Sequence, residues 1–393
     1  MTERSCVVVG AGRVAGGFAA PLLRAAGWQV LLVCRDREIA EVVNEHNGVL
    51  VRVAGEASDR FVDGVIAVEA ESPDTRAALL GADLVITAVG PTSLTDVGRW
   101  LAGPIAERLE TSARPLNILL FENSRQAQHL VTAGLVQERP GLATAIGTRL
   151  GVAGAAVWRT VAQREITRCG VRFTCDDADH CPIDALSLAD CAPLDGSLPG
   201  LEPVRGFDDR ITEKLWLFNA GHATAAYLGW HAGWPTMNEA LERPEIREAT
   251  LAAMAEAQQG FRAHVADRPG STAGAARSLD DILDHYANPA LADPVTRVAR
   301  QPRRKLAFDD RIVGPAVACL AAGITPIALA EAAAAALAYR DPGDRQAVDL
   351  GYEIRTVGAR EVLATISSLD PQDAFVELTL ERYDLMAGTG CPR

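Results

Sequence analysis

Several absences narrow the reading before any motif does. No stretch of 18 or more apolar residues occurs, so no membrane span is expected. The start, MTERSCVVVGAG, lacks the longer apolar run and small-residue cleavage site of a leader; Val7–Val9 meets Gly10 at once, which reads as a strand entering a turn. A cytoplasmic protein is expected. No cationic run is long enough for nucleic acid: the chain carries 38 Lys+Arg against 51 Asp+Glu, a net charge of −13, where a nucleic-acid binder would show a basic balance or patch. The densest basic stretch is RVARQPRRK, Arg297–Lys305. Zinc-ligand spacing is missing too. Cys169, Cys175, Cys181 and Cys191 are separated by five, five and nine residues, which matches no C-x-x-C pattern. They read as core or surface thiols, with no metal site, and a chain of 393 residues needs no disulfide staples. There is no internal repeat.

What is present is ordinary for a folded protein of two or three domains: 48% hydrophobic and 23% charged residues. The first half alternates short apolar runs with helical stretches. Strands are expected at Ser5–Gly10, Gln29–Cys34, Gly64–Val68, Ala82–Val89 and Leu116–Phe121, and helices at Gly16–Ala26, Asp36–Asn47 and Asp96–Leu109. Strands that are apolar without alternation are buried on both faces, the mark of a parallel sheet covered by helices. This half is expected to be α/β, doubly wound and Rossmann-type. Glu165–Leu186 is expected to add a few strands to that sheet. The Gly/Pro-rich GSLPGLEPV reads as a connection, placing the domains at 1–195 and 196–393. Long helical patterns follow at Ile211–Trp230, Asn238–Ala266 and Pro326–Arg340, so the second domain is expected to be mostly α-helical.

Between the first strand and first helix lies Gly10-Ala11-Gly12-Arg13-Val14-Ala15, a G-x-G-x-x-A turn whose context gives it weight. Gly10 permits a tight turn, Gly12 lets a pyrophosphate approach the backbone, Ala15 is small enough for helix–strand packing, and the helix N-terminus offers free N–H groups. The end of the second strand, 22 residues beyond Gly12, is where NAD enzymes usually carry an acid for the ribose. Here it is Cys34-Arg35-Asp36. Arg35 suits a 2′-phosphate, which tilts the expected cofactor to NADP(H) over NAD(H). Val89 and Gly90, and then Glu122-Asn123, end strands at the carboxyl edge where ligands bind; an amide such as Asn123 can bond a substrate oxygen without adding charge.

KLWLFNAGHATAAYLGW, Lys214–Trp230, is apolar on most sides yet holds Lys214, Asn219 and His222. On an ideal α-helix Asn219 lies roughly 140° and His222 roughly 80° around from Lys214, and Lys214 and His222 are about 12 Å apart along the axis. One small substrate is served only if the lysine bends or the helix is irregular; Gly221 would allow a break or the approach of a cofactor ring. A lysine enclosed by apolar surface favours its neutral amine and can exchange a proton with an alcohol or ketone. Asn123 and Asn219 could hold the developing alkoxide, and His222 could orient the hydroxyl.

The K-x-x-x-x-N-x-x-H pattern of Lys214, Asn219 and His222 resembles that of the long-chain polyol dehydrogenases, on the side of their shorter, mannitol-1-phosphate branch. GAGRVAGGF, TAVGP, ENSRQ, ANPALADPVTRVARQPRRKL and DDRI match as well, over nearly the whole chain. The resemblance implies a Rossmann domain followed by a helical one, Lys214 as general acid–base, Asn123 and Asn219 as oxyanion donors, and Arg297 and Lys305 as substrate-binding cations for a small polyol or sugar phosphate. Two departures stand out. Cys34-Arg35 replaces the acid carried for NAD, and the V-D-R-I pattern reads Val157-Trp158-Arg159-Thr160, so that an indole replaces a carboxylate that accepts from polyol hydroxyls. Trp158 therefore favours a specialised relative acting on another phosphorylated sugar, cyclitol or modified carbohydrate. A non-catalytic dinucleotide sensor is the alternative of another class; the intact Lys214, Asn219 and His222 speak against it. Monomer and homodimer both remain open.

Overall fold

The computed structural model describes residues 4–189, 194, 196, 198–266, 268 and 278–388; Cys191, from the cysteine cluster, lies outside them. Of the other three, Cys175 and Cys181 are buried and Cys169 is exposed. The chain forms two compact units, Met1–Ile211 and Thr212–Arg393.

The first unit is built on a six-stranded, all-parallel sheet of β1 (Ser5–Val9), β2 (Gln29–Cys34), β5 (Val65–Glu69), β6 (Leu84–Thr87), β7 (Leu116–Leu120) and β8 (Leu150–Gly154), in the order β5-β2-β1-β6-β7-β8. This is the dinucleotide-binding strand order, reversing direction between β1 and β6. All five residues of β7 and of β8 are buried, including the one polar residue, Asn117, whose Oδ1 accepts from Ala189 N at 2.9 Å. One face packs Phe18, Leu23, Trp28 and Ile39, the other Leu79, Leu101, Ile105 and Val131.

The strands expected from Glu165 onward do not extend this sheet. β9 (Val161–Thr167) and β10 (Gly170–Cys175) instead join β3 (Gly48–Val53) and β4 (Arg60–Asp63) in a separate four-stranded sheet, ordered β4-β3-β10-β9. The reason is packing: Phe173 of β10 fills the space over Gly16 and Val161 of β9 that over Gly17, so these strands cover the first helix rather than flank β8. β11 (Cys181–Asp184) pairs in parallel with β12 (Leu201–Val204). That pairing, with the Phe207 ring resting on Gly154, ties the Gly/Pro connection to the first unit. The division accordingly falls after Ile211, not after residue 195.

The second unit is helical. Its centre is the helix Ile327–Leu337, whose residues Ala332–Leu337 are fully buried. It packs against the helices Asn219–His231, Pro244–Val265 and Ala374–Gly388. A buried helix start exposes N–H groups that need acceptors; here the Glu256 carboxylate accepts from Ala328 N at 2.9 Å and Leu329 N at 2.8 Å. The pattern expected over Asn238–Ala266 breaks at Arg243-Pro244 into Met237–Leu241 and Pro244–Val265, because proline fits a helix start and not its interior. Among the described residues no helix is long and apolar enough to cross a membrane.

Candidate active site

In the first unit the chain leaves β1 through Gly10, whose φ of +116° only glycine adopts readily. A Cβ there would lie 2.6 Å from Ala88 O. Gly12 is different: a Cβ would meet only Ala88 O at 3.8 Å, so packing does not demand glycine. Open space over a backbone that leads into a helix start is what a pyrophosphate needs, and the turn fits a dinucleotide on that ground. Ala11 is buried, while Gly12, Arg13 and Val14 are half-buried. The helix opens with a π turn, Ala15–Ala19.

Val89 and Gly90 sit beside this turn, after β6. Both are held by Glu122, just beyond β7: its carboxylate accepts from Val89 N at 2.8 Å and Gly90 N at 2.9 Å. Burial pushes the Glu122 carboxyl up to about 7 despite those bonds. Asn123, next in the chain, is half-buried. Arg35 is exposed, and Cys34 before it is buried. Trp158 is half-buried, its backbone N–H donating to His180 O at 3.3 Å and its ring 6.5 Å from the His180 ring. Arg159 beside it donates to Ala178 O at 2.6 Å and to Gly17 O at 3.3 Å.

In the second unit, the lysine helix is irregular at one place. Lys214–Phe218 is a π turn in which Asn219 N bonds back to Lys214 O, five residues away, before the α-helix resumes at Asn219. One extra residue is absorbed, so Asn219 takes the position that the fourth residue would hold in an α-helix. The offset between Lys214 and Asn219 falls from roughly 140° to roughly 40°, and that between Lys214 and His222 from roughly 80° to roughly 20°. Lys214 is 6% and Asn219 5% exposed. Gly221 does not break the helix, nor does it leave room for a ring: a Cβ there would be 2.5 Å from the Met254 side chain, so the glycine serves helix packing.

His222 stacks on Tyr286 with ring centroids 4.6 Å apart and an interplanar angle of 9°. Its Nε2 is 3.3 Å from Asp293 Oδ2. Burial pushes the imidazole down to about 4, against the raising effect of Asp293. Burial also works to raise the Asp293 carboxyl, but the Arg297 guanidinium and His222 outweigh it and hold it well below the carboxylate range. A carboxylate only accepts, so Nε2 carries the proton and Nδ1 keeps a lone pair. Arg297 forks onto Asp293 through Nε and Nη2. The structure thus links Arg297, Asp293 and His222 in one chain. Asp293, which joins the other two, has only a four-residue spacing to Arg297 as its sequence signal. Lys305 is 2% exposed and donates to the carbonyls of Val298 and Arg300, with its Nζ 5.4 Å from the centre of the Tyr227 ring. Burial and the nearby Arg311 and Arg304 push its ammonium well below the usual lysine range.

Comparison with known proteins agrees with both halves. The mannitol dehydrogenase Rossmann domain family matches residues 4–185, and the mannitol dehydrogenase C-terminal domain family matches residues 208–373. The chain is 30% identical over 389 residues to mannitol-1-phosphate 5-dehydrogenase of Brevibacillus brevis, covering 95% of this chain and 96% of that one. Among solved structures it is similar in fold to mannitol 2-dehydrogenase of Pseudomonas fluorescens, captured with NAD and D-mannitol (TM-score 0.77, 14% identity, 99% of this chain and 93% of that one). A substrate-free D-sorbitol dehydrogenase is similar too (TM-score 0.71, 14% identity, 98% and 93%). The chain belongs to the mannitol dehydrogenase family, dinucleotide-dependent oxidoreductases that act on polyol CH–OH groups.

Proposed function

We propose that this protein interconverts a secondary alcohol and a ketone on a sugar-alcohol phosphate of the mannitol 1-phosphate/fructose 6-phosphate type, with Lys214 as general acid–base and NADP(H) preferred to NAD(H). The nicotinamide, when bound, supplies or accepts the hydride; the proton on oxygen is left to the chain. The observation that carries the reading is the π turn at Lys214–Phe218, which rotates the backbone so that the lysine shares a face with Asn219 and His222. π turns inside α-helices gather at functional sites.

The roles follow from the chemistry of each group. Lys214 takes the proton from the alcohol or returns it to the ketone. Asn219 and Asn123 donate to the oxygen as negative charge develops on it. Neutral His222, with Nε2–H fixed on Asp293, offers Nδ1 to a substrate hydroxyl. Arg297 keeps Nη1 outside its ion pair for a hydroxyl or phosphate oxygen. Lys305, with its Nζ on two carbonyls, acts through the backbone it holds. Gly10–Val14 and Val89–Gly90 cradle the dinucleotide, and Arg35 takes a 2′-phosphate.

Trp158 supports a second reading, in which the substrate is another phosphorylated sugar, cyclitol or modified carbohydrate. A panel of polyol phosphates and free polyols, run with both cofactors on wild type and Trp158→Asp, separates the two. Mannitol 1-phosphate turned over fully by wild type removes the second reading; activity on it gained only in Trp158→Asp supports that reading. Lys214→Ala should lower kcat roughly 10²–10⁴-fold and leave cofactor affinity little changed. Retained turnover would show that the acid–base role lies elsewhere.

A further inference from the structure

The edge strand β9 carries an arginine that the cofactor reading above does not use. β9 pairs antiparallel with β10, with Arg164 opposite Phe173. Residues opposed across an antiparallel pair project from the same face, and Phe173 lies over Gly16, so Arg164 is aimed at the glycine turn. Its Nη1 donates to Ala11 O at 3.3 Å. Val161, three residues earlier, reaches Gly17 from the same strand, although strict alternation would send the two side chains to opposite faces. The register shift at Thr174/Cys175, where Gln163 opposes Thr174 and Val161 opposes Cys175, leaves Ala162 unpaired. This one-residue bulge returns Val161 and Arg164 to one face, as bulges beside functional sites do.

The other arm of the guanidinium, Nη2, is 3.6 Å from Asp36 Oδ2. Asp36 is already engaged: its Oδ1 accepts from Ile39 N at 3.4 Å and caps the helix Arg37–His46. Cys34, in the position of the ribose-binding acid, is 3% exposed and donates its S–H to the backbone carbonyl of Asp36 at 3.0 Å. The corner that would receive the adenosine ribose therefore holds one carboxylate, tied to a helix start and to Arg164, and a second, exposed arginine, Arg35, for which no ion pair exists among the described residues.

We infer that Arg164 is a specificity-determining residue for the dinucleotide: it neutralises Asp36 and offers a guanidinium to a 2′-phosphate beside the Gly10–Gly12 turn. This rests on the dinucleotide reading of the site. The Arg164–Asp36 pair is exposed, with side chains 33% and 47% accessible, and such pairs are weak. A phosphate dianion, which accepts stronger charge-assisted bonds, can draw the arginine away. Without Arg164, the bare Asp36 carboxylate repels the 2′-phosphate and is free to take the ribose hydroxyls.

The test is binding rather than turnover: fluorescence titration of NADPH and NADH, with calorimetry of adenosine 2′,5′-bisphosphate and 5′-AMP as nicotinamide-free probes. Arg164→Gln should lower the NADPH-to-NADH affinity ratio by roughly ten- to a hundred-fold, mostly through NADPH. Arg164→Lys should recover part of it, and Asp36→Asn added to Arg164→Gln should recover part as well, since Asn keeps the helix cap but loses the charge. Arg35→Ala should lower the same ratio. Equal weakening of all four ligands by Arg164→Gln would mean a structural residue and would overturn the inference, as would an unmoved ratio. A wild-type chain that binds NADH and ignores NADPH overturns the cofactor preference and the inference together; tight NADPH binding with an unmoved ratio overturns only the inference.

Discussion

Asp293 acts on two groups at once. It balances Arg297 and accepts the hydrogen bond from His222 Nε2–H. Asp293→Asn keeps an acceptor for that proton and removes the charge. Breaking a fully buried ion pair costs about 3–5 kcal/mol, and the Arg297 side chain is 19% exposed, so water recovers part of the loss. Denaturant unfolding should find the second unit destabilised by roughly 1–3 kcal/mol. Removal of the raising effect of Asp293 should also leave His222 even harder to protonate, which NMR titration of the ring can follow. A His222 that titrates near 6.5 in the variant would mean that burial does not control it. This residue was hard to see in the sequence. The stretch ANPALADPVTRVARQPRRKL was legible as a likeness and Arg297 as a cation, but the contact between Asp293 and His222 joins distant parts of the chain, and spacing says nothing about such a pair.

At the scale of elements, five of the six strands of the parallel sheet were legible from short apolar runs in the sequence. β4 is mostly exposed, and a short polar strand carries no such mark; β3 and β8 are apolar and buried, so the mark was present there although neither stands among the expected strands. The assignment of Glu165–Leu186 to the first sheet failed because a strand's own sequence does not name its partner; the choice was made by Gly16 and Gly17, which admit Phe173 and Val161 from another layer. The π turn at Lys214 was also hidden, since a slip of one hydrogen bond leaves no trace in apolar periodicity, although the odd spacing of Lys214, Asn219 and His222 called for it. The glycine turn offers a direct test of which glycines serve ligand and which serve packing. Gly12→Ala places a methyl where the chain has room, so stability should change by no more than about 0.5 kcal/mol, while NADH and NADPH affinities fall together by tenfold or more, roughly, through loss of pyrophosphate approach. Gly16→Ala places its methyl 2.1 Å from the Phe173 ring and should cost about 1–3 kcal/mol by overpacking. Calorimetry and cofactor titration on the same two variants decide it. A Gly12→Ala protein that is less stable yet binds normally would reverse the assignment.

For the whole molecule, the two units carry buried groups of opposite pH response. Glu122 in the first is raised from the ordinary carboxylate range to about 7 by burial, so the folded chain holds its proton where the unfolded chain has lost it. Its contribution to stability is present below pH 4.5 or so and is lost as pH rises towards 7. His222 in the second is lowered to about 4 by burial, so the unfolded chain takes up a proton that the folded chain refuses. Its contribution is present above about pH 6.5 and is lost as pH falls towards 4. Displacements of this size are each worth at most on the order of 3 kcal/mol. Acidification across this window should therefore favour the first unit and weaken the second. Other carboxylates titrate in the same range, so the measurement is a difference: unfolding free energy of wild type minus Glu122→Gln, and of wild type minus His222→Gln, at several pH values. The first difference should fall with rising pH between about 4.5 and 7, and the second should rise between about 4 and 6.5. Two curves of the same sign would mean that one of these groups is not held in the protonation state its burial dictates. If Glu122 were the one, the hold on Val89 and Gly90 beside the dinucleotide turn would have to come from a carboxylate that stays charged throughout.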